Sequence, residues 1–83
     1  MPQIALETLS TNSNEKVIEK AREYFVNQFG LELQEETDCC LRAEGGGGHI
    51  FIRTEPAGKN TSAIMEGREW TRQLKFFMQK IAG

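Results

Sequence analysis

The sequence predicts a two-layer α+β domain, α-β-β-(β)-α in order, with two helices packed on one face of a small antiparallel sheet. Three observations carry that expectation. Apolar residues recur at helical spacing near both ends of the chain, a two-residue period takes over from Leu31, and four glycines at 45–48 divide the extended stretches. With 83 residues, 39% of them hydrophobic and 27% charged, the chain has room for one core. Residues 1–12 read as an N-terminal arm or edge strand, and residues 13–83 as a single α+β domain.

Asn12, followed three residues later by Glu15, has the pattern of a capping box and predicts a helix start. Val17, Ile18, Ala21, Tyr24, Phe25 and Phe29 share one helical face, which leaves Val26 opposite them in water. Gly30 supplies the left-handed residue that closes many helices.

Leu31, Leu33, Cys39, Leu41 and Ala43 then alternate with Glu32, Gln34, Glu36, Asp38, Arg42 and Glu44, the pattern of one half-buried strand with an acidic outer face, kinked near residues 35–37. Four consecutive glycines lose too much backbone entropy to sit inside a regular element, so residues 45–48 are expected as a turn. A hairpin closed there pairs Glu44 with His49, Ala43 with Ile50, Arg42 with Phe51, Leu41 with Ile52 and Cys40 with Arg53. That register puts apolar side chains on one face of both strands, and a slip of one residue would undo it.

Residues 56–60 read as a second turn and residues 61–65 as a short third strand. In the final helix Trp70, Leu74, Phe77, Met78 and Ile81 make the apolar stripe, with Arg68, Arg72, Lys75 and Gln79 on the far side.

No apolar run approaches the roughly 18 residues of a membrane span, so no membrane contact is expected and the cytoplasm is the expected compartment. Cys39 and Cys40 are adjacent, and neighbours on a strand point to opposite faces, so they read as free thiols, Cys39 in the core and Cys40 outside. One histidine and two such cysteines do not make a zinc ligand set, and no metal or cofactor is expected.

An acid, base and nucleophile that converge are missing from the pattern, which makes an enzyme the lesser reading. The leading one is a non-catalytic interaction module that binds a protein partner through the basic C-terminal helix, with Phe76 exposed between Arg72 and Lys80. The partner-binding candidates are Arg68, Arg72, Lys75, Phe76 and His49.

The order helix, three strands, helix over residues 13–82, with Gly48 and His49 after the first strand and Arg68 and Arg72 at the last helix, resembles the double-stranded-RNA-binding domain. The resemblance implies RNA binding through the first helix, the Gly48-His49 loop and the pair Arg68 and Arg72, driven by phosphate contacts. The formal charge of -2 ranks a protein partner ahead of RNA. Met1-Pro2, followed by an extended segment and a helix, resembles the start of the 4-oxalocrotonate tautomerase family, which implies Pro2 as an amino-terminal base.

Overall fold

The computed structural model describes residues 4–82, so Pro2 lies outside the described residues. Five antiparallel strands form one sheet in the order β1-β5-β4-β3-β2, with β1 at Ile4–Ser10, β2 at Glu32–Glu36, β3 at Cys40–Gly45, β4 at Gly48–Ala57 and β5 at Asn60–Arg68. Helix α1 (Asn14–Ala21) continues into a π-helical segment (Arg22–Gln28), and α2 (Thr71–Ile81) follows β5. Both helices cover one face, α1 over β3 and β4 and α2 over β1 and β5. The expected two-layer α+β class is therefore the fold observed, and the segment at Ile4–Ser10 is an edge strand paired along β5.

The hairpin register is the expected one, with Glu44 opposite His49, Ala43 opposite Ile50, Arg42 opposite Phe51, Leu41 opposite Ile52 and Cys40 opposite Arg53. Its turn is shorter than expected. Gly45 and Gly48 pair with each other, and only Gly46 and Gly47 turn the chain, at φ +59° and +82°. Two successive left-handed residues match the right-handed twist of the flanking strands, and glycine adopts them without steric cost.

Residues 31–44 do not form one kinked strand. The chain reverses fully between β2 and β3, because the Thr37 hydroxyl accepts the N–H groups of Cys39 (3.4 Å) and Cys40 (3.2 Å) while the Thr37 N–H donates to the Cys40 carbonyl (2.8 Å). An alternating pattern reads the same through a hairpin as through a strand, so periodicity alone hides the turn. The reversal carries Cys39 out of the core to an exposed position and leaves Leu33 39% exposed. A bulge between Leu33 and Glu35 shifts the phase of β2 and puts Glu36 on the helical side, where it accepts from Arg22 at 2.7 Å, and the outer face carries Arg42, Arg53 and Arg68 among its acids.

The cysteines are corrected too. Cys39 and Cys40 are joined as a disulfide: Cys39 lies in the turn before β3 and Cys40 is the first residue of that strand, so the alternation of side chains along a strand does not separate them.

The third strand is also longer than residues 61–65, and β4 extends to Ala57, leaving a turn centred on Gly58 and Lys59. Pro56 is tolerated there because β3 pairs with β4 only as far as Arg53, so a missing N–H breaks no ladder bond on that side.

The first helix is capped one residue later than expected. Ser13 takes the Lys16 N–H at 3.2 Å, while the Asn12 side chain donates to Ser10 at 2.9 Å. The wider π turns shift the helical phase, which draws Val26 against the core and pushes Phe29 to 38% exposure. Gly30 closes this helix at φ +76°, as expected.

The core between the layers joins Val17, Ile18 and Phe25 to Leu41, Ile50, Ile52, Met65, Leu74, Phe77 and Ile81, all buried. Gly67 lets α2 settle closely, since a Cβ at that position would collide with Leu74 Cδ1. Gly67→Ala is expected to lower stability by about 1–3 kcal/mol, as overpacking does. A urea midpoint within error of the parent would show that α2 rides higher on the sheet than described.

Candidate functional site

Helix α2 is positioned by the residues before it. Glu69 adopts φ +71°, which turns the chain out of β5, and Trp70 stands at the N-cap without a side-chain capping bond. Its indole Nε1–H instead donates to the Gly45 carbonyl at 2.8 Å, tying the helix start to the β3–β4 hairpin. The indole also meets Phe29 edge to face at 5.7 Å.

From this anchor the helix buries Leu74, Phe77 and Ile81. At about 100° per residue, Arg72, Phe76 and Gln79 then face away from the sheet. Phe76 is 58% exposed, the largest exposure among the large apolar side chains described. Arg72 stands one turn before it and Lys80 one turn after, and α2 contains three cations and no acid.

Between α2 and the first helix lies a hollow of about 200 Å³ lined by Lys20, Glu23, Tyr24, Gln28, Phe77, Lys80 and Ile81. Ligand pockets usually begin near roughly 300 Å³, so this space suits one side chain of a partner better than a small-molecule ligand. Lys80 holds its ammonium 5.1 Å from the Tyr24 ring, and Tyr24 stacks on Phe77 at 5.9 Å. Sequence reasoning assigned Tyr24 to the core stripe and missed this rim. The available signal was chemical, since a tyrosine in an otherwise apolar stripe keeps a hydroxyl that favours a wet edge.

The candidate residues divide between two faces. Arg72, Lys75 and Phe76 belong to α2, while His49 and Arg68 pair across β4 and β5 on the open face of the sheet. There His49 lies opposite Glu44 on its other side and shares a depression with Arg42, Phe51 and Glu66. Gly48 and His49 are strand residues of β4, not loop residues. Phe51 faces outward as expected, half-buried, with the Arg42 guanidinium 5.0 Å from its ring centre.

The fold and surface together define a small two-layer α+β domain with the most exposed of its described aromatic residues on the last helix. No family model and no curated protein matches the sequence. Among solved structures, the solution structure of the Aha1 dimer from Colwellia psychrerythraea has a TM-score of 0.69 with this chain, covering 96% of it and 92% of that chain at 11% identity. At that identity the likeness is one of fold. No helix among the described residues is long and apolar enough to cross a membrane.

The two neighbouring phenylalanines offer a direct check on this geometry. Phe76→Ala is expected to change unfolding free energy by no more than about 0.5 kcal/mol, because its ring already meets water. Phe77→Ala should cost about 3–5 kcal/mol, as truncation of a buried aromatic does. Equal losses in chemical denaturation would show that α2 is rotated from the orientation described.

Proposed function

We propose that this chain is a non-catalytic interaction domain that binds a protein partner through α2, with Phe76 as the apolar anchor and Arg72, Lys75 and Lys80 around it. The observation that carries the reading is the 58% exposure of Phe76 on a helix whose next residue, Phe77, is buried. Scattered exposed apolar residues are ordinary, but an aromatic framed by cations on a rigid helix has the composition of an interface centre. The partner surface complementary to it is an apolar socket bordered by carboxylates.

A second copy of the chain is the first partner to examine, since the Colwellia psychrerythraea structure of the same fold is described as a dimer. We place the domain in the cytoplasm as part of the same reading. RNA binding gains no comparable support, because His49 and Arg68 stand on the opposite side of the sheet from Arg72 and beside Glu44.

Sedimentation across a concentration series, followed by capture from nuclease-treated lysate of the source cell, tests the proposal. Phe76→Ala should weaken binding by about 2 kcal/mol or more, and Arg72→Glu by less than half of that, because rim charges are screened. Capture abolished by nuclease, or equal retention by Phe76→Ala and the parent, would overturn it.

A further inference from the structure

The reversal between β2 and β3 carries chemistry that the α2 surface does not use. Cys39 and Cys40 are bonded to each other, Cys39 exposed and Cys40 half-buried. A cross-link stabilises a fold mainly by closing a loop in the unfolded chain, and its effect grows with loop length. Adjacent residues enclose no loop, so this bond contributes little as a staple. Exposed disulfides without a structural role are the ones that exchange readily.

The same two residues are the hub of a hydrogen-bonded turn that joins three elements. The Cys39 carbonyl accepts both the N–H and the hydroxyl of Thr54 on β4, at 2.8 and 2.9 Å. The Thr37 hydroxyl holds the N–H groups of both cysteines, and the Asp38 carbonyl accepts from the side chain of Asn14, the first residue of α1, at 3.0 Å. These hydrogen bonds tie the backbone of the sulfur pair to the start of α1 and to β4.

We propose that Cys39–Cys40 is a reversible redox pair, opened by an external dithiol through thiol–disulfide exchange, and that its state sets the rigidity of the β2–β3 turn and of the α1 start bound to it. One thiolate of the dithiol attacks Sγ of Cys39, the exposed sulfur. The S–S bond breaks, and Sγ of Cys40, opposite Arg53 across the ladder, leaves with the electron pair. The reductant's second sulfur, on losing its proton, then attacks the first in the mixed disulfide and releases Sγ of Cys39. The two protons given up by the dithiol are balanced by two taken up on the cysteines, and the dithiol departs as a cyclic disulfide. In a reducing compartment the open dithiol is the resting form, and oxidation closes the bond.

The test uses the full chain, oxidised with diamide and then reduced with dithiothreitol, read by intact mass after iodoacetamide and by amide hydrogen exchange. The oxidised monomer should take no alkyl group and the reduced one two. Exchange at Thr54 and Cys40 should be about tenfold faster after reduction, with Ile50 and Ile52 unchanged. A chain with both cysteines replaced, Cys39→Ser and Cys40→Ser, should exchange like the reduced form and ignore dithiothreitol. Two alkyl groups on protein treated with diamide, or disulfide-linked dimers as the sole oxidised product, would overturn the pair. Identical exchange in the two states of the parent chain would overturn the coupling, whether or not the double variant folds.

Discussion

The two left-handed glycines at the β3–β4 turn, Gly46 and Gly47, set the constraint on which the rest of the sheet depends. A two-residue turn leaves one register open to the strands it joins, and this one puts Ala43, Ile50, Leu41 and Ile52 on the helical side together. A slip of β4 by one residue against β3 would turn Ile50 and Ile52 to the outer face and bring His49, Phe51 and Arg53 inward instead. The turn also receives the last helix. A Cβ at Gly46 would stand 3.1 Å from the Trp70 ring, and the neighbouring Gly45 carbonyl holds the indole N–H, so the tip that fixes the register also fixes where α2 begins.

From that point an aromatic chain runs through the helical layer. Trp70 touches Phe29, Phe29 touches Tyr24, and Tyr24 touches both Phe25 and Phe77, each at 5.0–5.9 Å between ring centres. Offset and edge-to-face ring pairs add about 0.5–1.5 kcal/mol each beyond area burial. The chain exists because the π-helical segment widens the turn at Arg22–Gln28, bringing Tyr24 and Phe29 to the side that faces α2. The Arg22 to Glu36 ion pair on the other flank is partly exposed and contributes at most about 1 kcal/mol. Ring packing, not surface charge, keeps the helices together.

Legibility in the sequence followed the strength of the local signal. The hairpin register could be read because the apolar pattern of two strands and a glycine turn agreed, and α2 because five apolar residues made one stripe. The β2–β3 reversal could not, since its cause is a threonine hydroxyl holding two N–H groups, which leaves the two-residue alternation intact. The error over Cys39 followed from it. The length of β5 was also hidden, because it is stabilised by β1 and β4 on its two sides, pairings between residues as far apart as Ile4 and Gly67. On the surface, the outward position of Phe76 followed from helical phase, whereas the separation of His49 and Arg68 from Arg72 required knowing which layer each element enters.

That separation bears on what kind of surface α2 is. Binding is costly when a surface must be ordered at the moment of contact, and cheaper when its anchor already sits on a fixed element. Phe76 has one ring neighbour in sequence, Phe77, which is wedged against Tyr24 and Phe25, and the helix is tied at its start to the hairpin tip through Trp70. The backbone beneath Phe76 is therefore held by the core, while its own ring contributes little to stability. Removing the exposed ring and removing the buried one next to it separate recognition from folding, because the two demands fall on adjacent residues of the same helix.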